Sequence, residues 1–234
     1  MKPSAVLFDC DGVIVDSEPI TNRLIAQNLA RHGLHLPLER IVTLFVGGTI
    51  QGVGETARAM GADLPPDWLD AIYGEIFEAL ALGTPLVPGV ERVLDALDNA
   101  AIPIAIGSNG PHEKMAVTLG QHPAVQARFG RHVYSRTDVA RPKPAPDLYL
   151  HAADQLGVAP KACAVIEDSP SGIRAAIAAG MTAFGYAPDG NGARLPPKAR
   201  SRYRHGRSAR TAGDSVHLGS SIGCAAGNRR HRVG

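Results

Sequence analysis

Three short polar clusters, each just past an apolar run, hold the residues of this 234-residue chain that could do chemistry. Asp9, Asp11 and Gly12 follow Ala5-Val-Leu-Phe8. Ser108, Asn109 and Gly110 follow Ile102-Pro-Ile-Ala-Ile106. Glu167, Asp168 and Ser169 follow Ala162-Cys-Ala-Val-Ile166 and lead into Pro170-Ser-Gly172. A fourth stretch, Arg141-Pro-Lys143-Pro-Ala-Pro146, is a rigid loop presenting a cation.

Brought together, Asp9, Asp11, Glu167 and Asp168 would crowd carboxylates that need a cation. Hard oxygen ligands without Cys or His select Mg²⁺. Such an ion beside a lysine and a hydroxyl suits a phosphoryl group, whose charge must be neutralised in the transition state. An Asp flanking the metal can attack phosphorus, and a second Asp two residues on can protonate the leaving oxygen and then activate water. Taken singly, each piece has a plainer reading. Asp-x-Asp is often a turn, Ser169 or Asp168 can cap a helix, and Lys143 alone is a solvated cation. Their order, with each cluster at a strand end, favours one shared site.

The elements that must position these clusters can be read from the apolar pattern. Residues 5–9, 102–106, 132–135, 162–166 and 181–186 read as strands. Helical spacing runs through 17–82 (Leu24, Ile25 and Leu29; Leu69, Ile72, Ile76 and Leu80), through 90–97 and through 172–179. Strands alternating with helices predict an α/β protein with a parallel sheet, whose ligands bind beyond the carboxyl ends of the strands. The helical block 17–87 interrupts that alternation and reads as an inserted second domain. The core is then 1–16 with 88–193.

Apolar residues make up 44% of the chain, enough for a sizeable core, and no apolar run approaches the ~20 residues of a membrane span. Cys10, Cys163 and Cys224 are too few for a disulfide scaffold and lack zinc spacing. The N-terminus lacks a secretory pattern, so a cytoplasmic location is expected. Residues 194–234 hold ten Lys or Arg and one acid, which leaves fourteen basic and twenty-one acidic residues in 1–193. That stretch reads as an atypical basic tail, disordered by composition. A nucleic-acid-binding arm is the sharper alternative, and a shifted reading frame is a third.

These residues resemble the haloacid dehalogenase superfamily, in its phosphatase and β-phosphoglucomutase-like branch. Asp9-Cys-Asp-Gly-Val-Ile-Val-Asp-Ser-Glu18 is similar to that family's first motif and Ser108-Asn109 to its second. Lys143 is similar to the third, and Glu167-Asp168 with Ser169–Gly172 to the fourth. The resemblance covers about residues 4–192. It implies a Rossmann-like parallel-sheet core with an inserted helical cap that closes over the site and selects substrate. It implies Asp9 as nucleophile, Asp11 as acid/base, and Ser108 and Lys143 as holders of the phosphoryl group. It also implies Mg²⁺ held by Asp9, the Asp11 carbonyl and Asp168, with Glu167 in support. Asn109, Gly48 and Thr49 are the further expected substrate contacts.

Departures from the family pattern narrow the chemistry. Asp11 disfavours carbon–halogen cleavage. Residues 17–87 contain no lysine, which removes Schiff-base phosphonate chemistry. Where the mutases carry a cation that clamps a second phosphate, Gly47-Gly-Thr49 is followed by Ile50. Gly52-Val-Gly-Glu-Thr-Ala57 mimics a dinucleotide fingerprint but is expected to be a cap loop. Trp68 and Tyr73 are expected to be packing residues, and His112 and His151 structural or solvated. The expectation is a Mg²⁺-dependent phosphatase acting on a small phosphorylated metabolite, such as a sugar phosphate or phosphoglycolate, through an aspartyl-phosphate. A sugar phosphomutase is the alternative, and a non-catalytic nucleic-acid-binding protein is the reading from another class. No membrane partner is expected, nucleic acid is disfavoured, and the chain should be a monomer or weak dimer.

Overall fold

A computed structural model describes residues 2–45 and 49–187. The basic tail and the insertion's Gly47 and Gly48 lie outside the described residues, so the expectations placed on them are not addressed by the fold.

The chain opens with β1 (Ala5–Phe8) and passes into four helices, α1 (Glu18–Arg31), α2 (Leu38–Phe45), α3 (Ile50–Ala59) and α4 (Trp68–Ala81). It then returns through α5 (Val90–Asn99), β2 (Ile104–Ser108), α6 (His112–Leu119), α7 (Pro123–Phe129) and β3 (Val133–Ser135). It continues with α8 (Asp147–Gln155), β4 (Cys163–Glu167), α9 (Pro170–Ala178) and β5 (Thr182–Gly185). The strands make one sheet in the order β3-β2-β1-β4-β5, parallel throughout. The five expected strands are all present. The order runs outward from β1 in both directions, so β1 and its neighbours border the point where a crevice opens at the carboxyl ends.

Both sheet faces are covered, which is why the strands read as continuous apolar runs. Ala5 and Leu7 pack in one layer with Leu148, Ala152 and Ile173 of α8 and α9. Val6 and Phe8, pointing oppositely, pack in the other with Leu94, Met115 and Phe129 of α5, α6 and α7. Fully buried side chains such as Leu7, Phe8 and Leu94 each contribute about 1.5–3 kcal/mol of transfer free energy.

The insertion α1–α4 has a core of its own, built from Ile25, Leu29, Ile41, Val53, Trp68, Ile72, Ile76 and Leu80. The buried amide of Asn28 is satisfied there: its Oδ1 accepts from Trp68 Nε1 at 2.7 Å and its Nδ2 donates to Glu75 at 3.2 Å. The two chain crossings into the insertion are paired. Asp16 N donates to the Pro85 carbonyl, Val87 N to that of Ile14, and Val15 bridges Leu86. Among the described residues no helix is long and apolar enough to cross a membrane.

The fold corrects two readings and adds three helices. The glycine-rich stretch 52–57 is not a loop: it lies inside α3, whose N-cap Thr49 accepts from Gly52 N at 3.1 Å. The apolar run before it is part of α2, so these glycines follow a helix and not the strand a dinucleotide fingerprint needs. Helix α9 starts two residues earlier than its apolar spacing suggests. Ser169 caps it by accepting from Gly172 N, and Pro170 fits the first turn. Helices α6, α7 and α8 are the additions.

Candidate active site

Asp9 and Asp11 sit on the turn that ends β1. Asp9 N still donates to the Ile166 carbonyl of β4, so its carboxyl is held at the sheet edge. Beyond it the chain folds tightly: the amides of Ile14 and Val15 both donate to the Cys10 carbonyl, and Gly12 N donates to that of Val15. Gly12 takes a φ of +74°, and a Cβ there would stand 2.3 Å from Asp168 Oδ2. Only glycine permits both the turn and the close approach of the fourth motif's carboxylate. Cys10 points away and is fully buried in the core.

Lys143 is the charge that joins the clusters. It is buried, and its Nζ donates to Asp9 Oδ1 and to Glu167 Oε1, each at 2.7 Å, while lying 4.7 Å from the centre of the Tyr149 ring. Asn109 sets its main chain: the Asn109 amide donates to the Lys143 carbonyl and accepts from Lys143 N, both at 3.0 Å. Asn109 also lines the cleft at this site.

Glu167 has no exposed surface. Its Oε1 accepts from Lys143 and from Tyr149 OH, and its Oε2 from Ser169 N at 2.8 Å and Ser169 Oγ at 2.9 Å. Both oxygens are therefore satisfied within the protein. Asp168, by contrast, has no hydrogen-bond partner among the described residues. Oxygens of Asp9, Glu167 and Asp168 lie within 4.8 Å of one another. The Asp11 carboxylate lies outside this trio, and the metal contact the resemblance implies for Asp11 is its backbone carbonyl. It accepts from Lys114 Nζ at 2.8 Å and from Ser17 Oγ.

The electrostatics follow from this division. Burial, opposed by Lys143 and reinforced by Glu167 and Asp11, pushes the Asp9 carboxyl up to about 7. Burial, with Glu167 and Asp9 nearby, holds Asp168 well above the usual carboxyl range. Burial works against the Lys143 ammonium, yet Asp9 and Glu167 outweigh it and hold that group well above its ordinary value. At Asp11, burial is overcome by Lys114 and the Ser17 hydroxyl, so this carboxyl is lowered. The cluster is short of positive charge. Its donors are hard carboxylate oxygens, and Asp168 has open lone pairs, which together fit a small divalent cation.

Ser108 is buried at the end of β2, and its Oγ accepts from Gly110 N at 3.0 Å. These residues line a cleft of about 190 Å³ that also takes in Thr21, Asn22, Thr49, Ile50 and Tyr73 from the insertion. Thr49 is thus at the cleft as expected. Tyr73 is too, where packing alone was expected. Trp68 is buried in the insertion's core. His112 is partly exposed and pairs with Asp138 at 2.9 Å, and His151 packs edge-on against the Tyr134 ring. Lys114 and Tyr149 were missed by sequence reasoning. Lys114 lies in a helix with no motif around it, and Tyr149 reads as one more apolar position of α8.

Fold and site together define a parallel α/β enzyme with a helical insertion over a lysine-bridged acidic centre. The family model described as haloacid dehalogenase-like hydrolase matches residues 3–180. Hexitol phosphatase A of Escherichia coli (strain K12) is 34% identical over 184 residues, covering 77% of this chain and 81% of that protein. The 6-phosphogluconate phosphatase of the same organism is 29% identical over 187 residues, covering 79% and 83%. A haloacid dehalogenase family hydrolase from Deinococcus radiodurans R1, solved with phosphate and sodium bound, superposes with a TM-score of 0.68. It is 40% identical, over 80% of this chain and 82% of that one. The chain belongs to the haloacid dehalogenase-like hydrolase family.

Proposed function

We propose that this hydrolase is a Mg²⁺-dependent phosphatase that cleaves a small phosphomonoester, of the sugar phosphate or phosphoglycolate type, through an aspartyl-phosphate. The observation that carries the reading is the Lys143 ammonium, 2.7 Å from both Asp9 and Glu167, beside the unpartnered carboxylate of Asp168. Names of the relatives support the substrate class. Residues 17–87 are taken as the cap and the flanking α/β segments as the catalytic core, because cleft residues come from both.

Asp9 and Asp168 would hold the ion, with Glu167 behind them keeping Lys143 and the start of α9 in place. Bound there, Mg²⁺ supplies positive charge that offsets the charge on the phosphoryl oxygens. Lys143 and Ser108 hold the phosphoryl group against the Asp9 carboxylate. Asp9 attacks phosphorus, the bond from phosphorus to the alcohol oxygen breaks, and Asp11 gives its proton to that oxygen. Asp11 then takes a proton from water. The water oxygen attacks phosphorus and the bond to Asp9 breaks, which releases inorganic phosphate and restores both carboxyls. In the described structure Asp11 is clamped as a carboxylate by Lys114 and Ser17, so its acid role requires release from that clamp on substrate entry.

Phosphate release from a panel of phosphomonoesters, with and without Mg²⁺, tests the reading. The wild type is expected to turn over with metal only, and Asp9→Asn to lose turnover while staying folded. Turnover that survives Asp9→Asn would overturn it.

A further inference from the structure

Three cations line the cleft among the described residues: Lys143, Lys114 and Arg136. The first is bonded to Asp9 and Glu167, and the second to Asp11. Arg136 makes no hydrogen bond or ion pair with any described residue. The acid nearest in sequence, Asp138, is taken by other groups: it accepts from Ser135 N at 2.8 Å and pairs with His112 at 2.9 Å.

The position of Arg136 is fixed by the turn that carries it. Ser135, the last residue of β3, is the register partner of Ser108 across the parallel ladder. It is fully buried, and its Oγ donates to the Gly110 carbonyl at 2.8 Å. Ser135 and Asp138 close a reciprocal capping box around residues 136–138. Arg136 therefore starts one residue past the strand end beside the Ser108–Gly110 loop, on a turn tied to that loop. A guanidinium held this way without a carboxylate is a receptor for an oxyanion, which it can grip with two parallel hydrogen bonds.

In the reaction proposed above, Ser108 and Lys143 already serve the transferring phosphoryl group. We infer that Arg136 is a specificity-determining residue that selects phosphomonoesters carrying a second anionic group, a carboxylate or another phosphate, over uncharged sugar and polyol phosphates. The insertion lines the cleft with the acid Glu18, at the start of α1, and with the neutral Thr21, Asn22 and Tyr73, which suit hydroxyls and offer an oxyanion no cation. Among the described residues Arg136 is thus the cleft cation not bonded to a carboxylate. This inference rests on the phosphatase reading.

The test compares kcat/KM within two matched pairs: 6-phosphogluconate against sorbitol 6-phosphate, and fructose 1,6-bisphosphate against fructose 1-phosphate. Wild type, Arg136→Gln and Arg136→Lys are measured with Mg²⁺. The expected result is a wild-type preference for the doubly anionic member of at least one pair by about tenfold or more. Arg136→Gln should collapse that ratio, chiefly through KM, and Arg136→Lys should restore part of it. The pair that shows the ratio tells carboxylate from phosphate. No preference in either pair, or a ratio that survives Arg136→Gln, overturns the inference and leaves the phosphatase reading standing. A folded wild type that cleaves no ester overturns the phosphatase reading, and this inference with it.

Discussion

At the scale of single residues, Lys143 does what no other described side chain could. It is buried between two carboxylates and supplies the charge that lets Asp9 and Glu167 share one site. Truncating one member of a buried ionic group leaves its partners unpaired, which costs more than the contact itself is worth. Lys143→Met should therefore abolish turnover and lower stability by about 3–5 kcal/mol in metal-free buffer. Added Mg²⁺ should recover part of that loss, because the remaining carboxylates then hold a cation. Urea midpoints with EDTA and with Mg²⁺ measure both effects, and a variant as stable as wild type in EDTA would contradict the account. The importance of Lys143 was legible from its type and its place among the motifs, as was that of Asp9, Ser108 and Asp168. Lys114, Tyr149 and Arg136 were not, because nothing in their spacing says that folding carries Lys114 and Arg136 to the cleft and buries Tyr149 against Glu167. Asn109 carries a task its motif does not reveal: its amide is engaged with the Lys143 main chain.

At the scale of elements, the start of α9 presses directly against the site. Gly172 lies in its first turn, and a Cβ there would fall 1.5 Å from Glu167 Oε1 and 1.9 Å from the carboxyl carbon. The same turn supplies the Ser169 amide and hydroxyl that hold Glu167 Oε2. Gly172→Ala cannot be accommodated by a small shift, since the clash meets a fully buried carboxylate and not a flexible side-chain end. It should displace Glu167, break its bond to Lys143, and cost several kcal/mol, above the ~1 kcal/mol of an average substitution. Thermal unfolding should show the loss, and phosphate release should fall at least tenfold. Unchanged melting and activity would mean that α9 does not set Glu167. The helix itself was legible from its apolar spacing. Its true start was not, since the Ser169 cap and the proline are read only once Glu167 is placed. Strands β1, β2 and β4 were legible because burial on both faces makes them continuous apolar runs, and α5 because one face of it, Val90, Leu94 and Leu97, is buried. Helices α6 and α7 are short, eight and seven residues, and the glycines of 52–57 disguised α3.

At the scale of the whole molecule, the cleft belongs to two packed units with separate cores. Asp9, Ser108 and Lys143 come from the α/β unit; Thr21, Thr49 and Tyr73 come from the insertion. The units are joined by the paired crossings at 14–16 and 85–87, and by Gln121, whose Oε1 accepts from Thr84 N and whose Nε2 donates to the Leu80 carbonyl. Val117 of α6 also packs against the insertion's core, in the helix whose Lys114 holds Asp11. A ligand bound in the cleft should therefore stabilise both units. The chain has one tryptophan, Trp68, buried among α1, α3 and α4, so its fluorescence reports the insertion alone. Far-ultraviolet circular dichroism reports the helices of both units. Binding to the folded state alone stabilises by mass action, by about 2.7 kcal/mol at a ligand concentration one hundred times Kd. Mg²⁺ with inorganic phosphate should shift the Trp68 and dichroism transitions in urea upward together, and Asp9→Asn should shrink both shifts. A dichroism transition that moves while the Trp68 transition stays would show that the ligand engages the α/β unit only. The substrate contacts assigned to Thr49 would then fail, while the chemistry assigned to Asp9 and Lys143 would stand.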